Sequence, residues 1–212
     1  MRKNNTVIAG AGGHASEVLD VLNEAAKQNI HLFDDVQFET SFIYNCKVLH
    51  AVDQLKAFVS FDFVLGVGDP FLRKQFYERL IAAGGIHLPL KSASASISST
   101  CFNSLFDSLK NVFVGPNTRI GLGALLNTGA QVHHEAEIGA FTEISPRVVV
   151  LGRAEVGSFS RIGANATVLP KIKVGNNVIV AAGAVVTQNV PDDCLVAGVP
   201  AVVKKKLSPL VL

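Results

Sequence analysis

Between residues 114 and 186 every sixth residue is branched and apolar, and the series runs through thirteen positions without a break. These positions are Val114, Ile120, Leu126, Val132, Ile138, Ile144, Val150, Val156, Ile162, Val168, Val174, Val180 and Val186. A period of six does not match an α-helix, which has about 3.6 residues per turn. It predicts a parallel β-helix, in which each six-residue unit makes one short strand and one corner.

A second series supports this interpretation. Small, slender or apolar residues stand two positions before each next anchor, as at Thr118, Ala124 and Ala130. Two inward side chains per unit would fill a narrow core, and the Gly and Asn residues between them suit corners with unusual backbone angles. The alternative is a chance run in a chain that is 49% hydrophobic, and the unbroken phase argues against it.

The pattern before residue 91 is different and predicts alternating strands and helices. Residues 6–9 form an apolar run, and Val18, Leu19, Val21 and Leu22 define an amphipathic helix that continues toward Lys27. Further strands are predicted at 30–33, 62–67 and 86–90, with a helix near 52–58 and another that ends at Gly84. Strand, glycine turn and helix in this order predict a Rossmann-like βαβ unit.

A glycine-rich turn joins the first strand to the first helix. It contains Gly10, Gly12 and Gly13, followed by His14, and Ala15 stands where a third glycine is usual. Such a turn lets the backbone approach a phosphate or a ribose, and N–H groups at a helix start attract anions. The turn by itself could equally be purely structural.

Acidic residues follow the next two predicted strands. Asp34 and Asp35 lie about 20 residues beyond the glycine turn, where a carboxylate can accept ribose hydroxyls, although an acidic pair after a strand is more often a turn. Gly68 and Asp69 follow the third strand, at the edge of the sheet where ligands bind, and Arg73 is a weaker candidate. Together the loops predict nucleotide binding.

The composition excludes several classes of function. The 212 residues carry a net charge of +2, and 17% are charged, so we expect no nucleic-acid partner and no membrane partner. The sequence contains no uninterrupted run of about 18 apolar residues, so no transmembrane helix is predicted. The polar start leads directly into a strand without a leader, and the three cysteines form no CxxC pair. We therefore expect a cytoplasmic protein with reduced thiols.

The repeat contains two histidines, His133 and His134, followed by Glu135. Because the Val132 anchor points inward, His134 is predicted at a corner that faces outward. A neutral imidazole is a natural base for an attacking amine or hydroxyl, and Glu135 could hold the ring in the required tautomer. The competing interpretation is two surface histidines without a chemical role.

The ordered combination of these motifs resembles a known family. Hexapeptide β-helices are typical of the left-handed β-helix acyltransferases. More narrowly, the glycine turn with His14, the Asp34-Asp35 pair, Gly68-Asp69 and the His134-Glu135 segment look like the sugar O-acyltransferases of the NeuD/PglD type. The resemblance covers nearly the whole chain and is weakest over 91–112.

The resemblance implies a homotrimer that binds a UDP-4-amino-sugar and acetyl-CoA, with no metal. His134 would be the catalytic base and Glu135 its partner. The substrate-binding residues are expected to be Gly10, Gly12, Gly13, His14, Asp34, Asp35, Gly68 and Asp69. The residues expected to contact acetyl-CoA are Glu143, Gly152, Ala164 and Ala182.

The chain departs from the family pattern at three positions. Glu143 stands where PglD-type enzymes carry a second histidine, and a carboxylate cannot donate a hydrogen bond to a carbonyl unless it is protonated. Arg147 and Arg153 stand where small or neutral residues are commoner, and they could change contacts with the acceptor or with CoA.

We therefore predict an α/β Rossmann-like nucleotide-sugar-binding domain (1–90), a connector with first irregular rungs (91–112), a left-handed parallel β-helix acyltransferase domain (113–190) and a tail (191–212). The predicted activity is acetyl-CoA-dependent N-acetylation of a UDP-linked 4-amino-sugar for glycan or surface-polysaccharide synthesis. Alternatives are O-acetylation of a sugar hydroxyl, as on a sialic acid, and a non-catalytic nucleotide-sugar-binding trimer. A hexapeptide-type zinc carbonic anhydrase would need three converging imidazoles, and the repeat offers two adjacent ones.

Overall fold

The structure, a computed structural model, describes residues 5–36, 42–103 and 105–210. The chain separates into two compact units, Met1–Leu90 and Lys91–Leu212. The predicted domain 1–90, the connector and the tail each include a few positions, namely 1–4, 37–41, 104 and 211–212, that lie outside the described residues.

The first unit is a sheet with helices. Its elements are β1 (Asn5–Ala9), α1 (Gly13–Glu24), β2 (Ile30–Phe33), β3 (Phe42–Ile43), β4 (Cys46–Leu49), α2 (Val52–Leu55), β5 (Phe61–Leu65), α3 (Pro70–Ala82) and β6 (Ile86–His87). The strand order is β3-β4-β2-β1-β5-β6, and all neighbours are parallel except the β3–β4 pair. The predicted Rossmann-like βαβ arrangement is confirmed.

The helices form where the apolar positions recur at helical spacing. In α1 the buried side chains include Val18, Leu19 and Leu22, and the helix ends at Glu24, before the predicted Lys27. The predicted helix 52–58 ends already at Leu55, and Phe58 packs partly buried against the core from the turn that follows. Within the described residues, no helix is long and apolar enough to cross a membrane.

Strand β1 lies near the centre of the sheet, and the chain adds later strands first on one side of it and then on the other. The chain passes from β1 to β2 and β4 on one side and returns to β5 and β6 on the other. The crevice at such a switch point, beyond the carboxyl ends of the strands, is where ligands bind in open parallel sheets. The loops after β1, β2 and β5 all begin at this edge.

The second unit is a parallel β-helix with three flat faces, each a sheet of very short strands. Face A contains β7 (Ser96–Ile97), β9 (Phe113–Val114), β12 (Gln131–Val132), β15 (Val149–Val150), β18 (Thr167–Val168) and β21 (Val185–Val186). Face B contains β10 (Arg119–Ile120), β13 (Glu137–Ile138), β16 (Glu155–Val156) and β19 (Lys173–Val174). Face C contains β8 (Asp107–Ser108), β11 (Leu125–Leu126), β14 (Glu143–Ile144), β17 (Arg161–Ile162), β20 (Ile179–Val180), β22 (Cys194–Gly198) and β23 (Ala201–Lys206).

The hexad pattern sets the stacking of the coils. Strands pair in parallel with strands one coil away, so Val132 lies beside Val150 and Ile120 beside Ile138. All thirteen anchors are buried and belong to one continuous core. The second series is buried too, apart from Ile172, which is half-buried. Two of its core hydroxyls, Thr142 and Ser160, donate to backbone carbonyls of the next coil and so lose no hydrogen bond on burial.

The solenoid extends beyond the regular repeat at both ends. The segment expected to be a connector, 91–112, contains β7 and β8, which pair in register with β9 and β11. The tail adds β22 in parallel to β20 and then reverses into antiparallel β23. Of the three aromatic residues that could close the open end, Phe106 is buried in the core, whereas Phe102 and Phe113 remain largely exposed on the outer surface.

Candidate active site

The His134-Glu135 pair lies on the corner between face A and face B, which we call the AB edge. Strand β12 ends at Val132 and β13 begins at Glu137, so the residues between them form one turn of this edge. Glu135 adopts a left-handed backbone conformation with φ +59°, which turns the chain sharply between the two faces. The side chains of His134 and Glu135 are 58% and 41% exposed, as predicted for an outward-facing corner.

The carboxylate of Glu135 fixes the tautomer of the neighbouring imidazole. Nδ1 of His134 lies 3.1 Å from Oε2 of Glu135. Because a carboxylate only accepts hydrogen bonds, Nδ1 carries the proton in the neutral ring and Nε2 keeps its lone pair. The Arg153 guanidinium, and after it the His134 ring, hold the pKa of the Glu135 carboxyl below its ordinary value. The pair therefore presents a base backed by an ionised carboxylate.

The imidazole lies against the backbone of the next coil, at Gly152. A Cβ atom at this glycine would lie 2.5 Å from both Nε2 and Cε1 of His134, far inside van der Waals contact. The coil on the other side also carries a glycine, Gly115, where a Cβ would lie 2.8 Å from the His134 backbone nitrogen. Glycine at 152 is therefore what lets the ring occupy this position.

The other residues expected to contact acetyl-CoA lie on different parts of the solenoid. Ala164 follows β17 and Ala182 follows β20, so both lie on the corner between faces C and A, the CA edge. Glu143 lies on face C, almost buried, where it accepts hydrogen bonds from Ser145 (3.1 Å) and from Nε of Arg161 on the next coil (2.8 Å). Within one chain, Gly152 and Ala164 thus lie on opposite edges of face A.

A groove of 880 Å³ runs along face B. Its outward side chains include Arg119, Glu137, Glu155 and Lys173, which form ion pairs between neighbouring coils. His134 does not line this groove.

In the first unit, the glycine turn lies at the switch point of the sheet. Gly10 has φ +106°, and a Cβ there would lie 2.5 Å from the Val67 side chain, so the loops after β1 and β5 can approach only because this residue is glycine. A Cβ at Gly12 or Gly13 would meet nothing within 4 Å, so the space beside them is open. His14, in the first turn of α1, contacts Glu17 through Nδ1 at 3.1 Å.

The acidic pair after β2 divides into two different environments. The carboxylate of Asp34 is buried and accepts hydrogen bonds from the backbone N–H of Ala11 and of Val36, both at 3.0 Å. It thereby ties the loop after β2 to the glycine turn. Asp35 pairs with Arg79 through Oδ2, and among the described residues its buried Oδ1 accepts no hydrogen bond.

The loop after β5 holds the remaining candidates. Asp69 caps α3, because its Oδ1 accepts hydrogen bonds from the N–H groups of Phe71 and Leu72 at 3.0 Å. Arg73 is fully buried and donates to the carbonyls of Leu65 (3.3 Å) and Val67 (2.7 Å). Gly68 lies between these contacts, half-buried at the same edge.

The structure brings the predicted site residues together in the first unit but not in the β-helix. All eight candidates of the first unit lie at the carboxyl edge of its sheet, whereas those of the β-helix are divided among the AB edge, the CA edge and face C. The functional contact that the sequence interpretation missed is between Glu135 and Arg153. Its signal was available, since the two residues are 18 apart and one coil of the solenoid has that length. In the described part of the chain, no cluster of three or more His, Cys, Asp or Glu side chains could hold a metal ion.

Two known families match the chain, one in each of its two units. The PglD N-terminal domain matches residues 5–80, and the bacterial transferase hexapeptide family (six repeats) matches residues 153–188. The first match covers strands β1 to β5, the glycine turn and both acidic loops. The second begins directly after Gly152.

Two solved structures are similar over almost the whole chain. The acetyltransferase domain of PglB from Neisseria gonorrhoeae is 28% identical, with a TM-score of 0.86 over 96% of this chain and 100% of that one. PerB from Caulobacter crescentus, in complex with CoA and GDP-perosamine, is 27% identical, with a TM-score of 0.87 over 95% of this chain and 98% of that one. Structures of the perosamine N-acetyltransferase also include variants in which a histidine is replaced by asparagine or alanine.

The fold is thus a Rossmann-like α/β domain followed by a left-handed parallel β-helix of hexapeptide repeats. In both of its units the chain is similar to sugar acetyltransferases of the PglD/NeuD type.

Proposed function

We propose that the protein transfers the acetyl group of acetyl-CoA to the amino group of a nucleotide-linked 4-amino-sugar, with His134 as the general base. The observation that carries the proposal is the contact between Nδ1 of His134 and the Glu135 carboxylate, which leaves Nε2 of this largely exposed side chain as a proton acceptor. The similarity to PerB, whose structure holds CoA and GDP-perosamine, supports the substrate class.

In this reaction the amine nitrogen attacks the thioester carbonyl while Nε2 of His134 takes its proton. The new C–N bond forms, the C–S bond breaks, and CoA leaves as a thiol after protonation. Glu135 stabilises the imidazolium that forms, and backbone N–H groups of the edge would steady the developing oxyanion. No covalent enzyme intermediate is required, because the CoA thiol is a good leaving group.

The nucleotide-sugar would bind at the carboxyl edge of the first sheet. Open space beside Gly12 and Gly13 would admit a phosphate or a ribose, and the buried Oδ1 of Asp35 is an acceptor for a ribose hydroxyl. Asp34 would act through the shape of the glycine turn, because its oxygens hold backbone N–H groups. The resemblance favours a UDP-sugar, and the GDP-sugar in PerB is the alternative to test.

Acetyl-CoA would bind between two copies of the chain in a homotrimer. The expected contacts of the donor lie on both edges of face A, at Gly152 and at Ala164 and Ala182. A single groove can include both sets if the AB edge of one copy faces the CA edge of the next. The three free thiols, Cys46, Cys101 and Cys194, fit the cytoplasm, where acetyl-CoA is available.

The test is to incubate the purified protein with acetyl-CoA and a panel of UDP- and GDP-linked 4-amino-sugars and to measure the product masses. We expect a gain of one acetyl group on at least one sugar. The His134→Ala variant should lower the rate by roughly 10²–10⁴-fold, as expected for a lost general base.

The neighbouring histidine provides a matched control. His133 packs against Phe113, with ring centroids 5.5 Å apart, and the His133→Ala variant should keep most of the activity. A rate that His134→Ala leaves unchanged would refute the assigned base. Acetylation of sialic acids alone would establish O-acetylation instead, and no transfer to any acceptor would favour a non-catalytic trimer.

A further inference from the structure

Arg153 reaches from the next coil to the carboxylate beside His134. Its Nε lies 3.0 Å from Oε2 of Glu135 and its Nη2 lies 3.2 Å from Oε1, so each carboxylate oxygen receives one guanidinium contact. This two-point geometry defines the orientation of the carboxylate as well as its charge.

The backbone of Arg153 is fixed on the same corner. Its N–H donates to the carbonyl of His134 at 3.0 Å, and its φ of +61° repeats the left-handed turn of Glu135 one coil away. Arg153 therefore contacts both members of the pair, one through its backbone and the other through its side chain. An ordinary surface ion pair, held only by two flexible side chains, contributes little.

Oε2 of Glu135 is shared between two donors. It faces Nδ1 of His134 at 3.1 Å and Nε of Arg153 at 3.0 Å. The guanidinium thus offsets part of the negative charge that would otherwise stabilise a protonated imidazole. The other titratable side chains near this turn are His133, which packs on Phe113, and Lys171, which follows Arg153 one coil further along the edge.

We propose that Arg153 is a positioning residue of the acetyl-transfer site: it holds the Glu135 carboxylate against Nδ1 of His134, so that the ring keeps one tautomer and one orientation. This inference rests on the proposed function, because it assigns Arg153 to the same base. Arg153 acts on His134 through the Glu135 carboxylate.

The Arg153→Met variant tests the inference because it removes the charge and both contacts and keeps an unbranched stem. We expect kcat to fall by about tenfold with little change in the KM for acetyl-CoA, because the carboxylate no longer fixes the ring. Arg153→Lys keeps the charge, so it should restore part of the lost kcat.

A double-mutant cycle with Glu135→Gln shows whether Arg153 acts through the carboxylate. In that background, Arg153→Met should cause almost no further loss of kcat. An equal loss in both backgrounds, or a higher KM for acetyl-CoA with an unchanged kcat, would overturn the inference. The matched control is Arg119→Met, which breaks the corresponding inter-coil pair with Glu137 on face B and should leave kcat unchanged.

A measurement without substrate separates this inference from the proposed function. Ring nitrogen signals of labelled histidines can be followed by NMR, with His134 assigned from the His134→Ala spectrum. The Nδ1–H tautomer of this ring should prevail in the wild-type protein and give way to a mixture of tautomers in Arg153→Met and in Glu135→Gln, whether or not an acceptor sugar has been found. An unchanged tautomer in Arg153→Met, in a protein that does acetylate sugars, would refute the role of Arg153 alone.

Discussion

Two carboxylates of the first unit and the carboxylate of the AB edge have different kinds of partner. Asp34 accepts hydrogen bonds from backbone N–H groups of the glycine turn and of its own loop, and Asp69 accepts them from the first turn of α3. Glu135 instead contacts two side chains, His134 and Arg153, and remains 41% exposed. The first two carboxylates fix the shape of the carboxyl edge of the sheet, whereas the third contacts the proposed base.

This difference follows from how the two regions are constructed. A loop after a strand leaves backbone N–H groups without partners, and a nearby carboxylate satisfies them. At a corner of the β-helix, several backbone N–H groups already pair with the coil before, as Glu135 does with Pro116 and Arg153 with His134. The corner side chains are therefore available for contacts with one another and with a ligand.

The largest effect is expected from Gly152→Ala, which tests the position of the imidazole. The new methyl group would lie 2.5 Å from Nε2 and Cε1 of His134 and would displace the ring, while the N–H of residue 152 is kept. We expect kcat to fall roughly a hundredfold, as for a reacting group moved by about 1 Å.

The His134→Ala background serves as the control for this variant. If residue 152 acts only by allowing the imidazole of His134 to take its position, adding Gly152→Ala to His134→Ala should not lower the residual rate further. A further loss, with weaker acetyl-CoA binding by calorimetry, would instead support the direct donor contact that the resemblance implies.

A smaller effect, on stability, is expected from Asp34→Ala. The variant leaves the N–H groups of Ala11 and Val36 without their buried acceptor, which should cost about 1–3 kcal/mol in the free energy of unfolding. Denaturant unfolding followed by circular dichroism measures this difference.

Asp35→Ala is the matched comparison on the neighbouring residue. Its carboxylate is partly exposed and pairs with Arg79, so the unfolding free energy should change by less than about 0.5 kcal/mol. If Oδ1 of Asp35 holds a ribose hydroxyl, this variant should weaken nucleotide-sugar binding by about tenfold. Unchanged binding would remove Asp35 from the site.

A smaller loss of stability than for Asp34→Ala is expected at the cap of α3. Asp69→Ala should destabilise the protein by about 1 kcal/mol, because Phe71 and Leu72 lose their N–H acceptor, whereas Asp69→Ser should keep most of that stability. Thermal unfolding compares the two variants. A stable Asp69→Ser protein with much weaker nucleotide-sugar binding would show that the carboxylate contacts the ligand in addition to capping the helix.

The elements were easier to predict than the contacts between them. The thirteen anchors, the outward corner at His134 and the strands of the Rossmann-like unit follow from periodicity and are confirmed. Strands β7 and β8 lie where the hexad pattern is imperfect, and they are recognisable only because β9 and β11 pair with them. The roles of the individual site residues remain predictions.

The β-helix is predictable from the sequence, because a side chain's position in a six-residue unit decides whether it points inward or outward. The sequence also indicates which residue types reach the AB edge and the carboxyl edge of the sheet. The 18-residue spacing makes Glu135 and Arg153 neighbours on successive coils, but the fold is needed to show that their side chains meet. Asp34 binds Ala11 because β1 and β2 are adjacent in the sheet. That pairing depends on distances across the fold, and no local pattern along the chain encodes it.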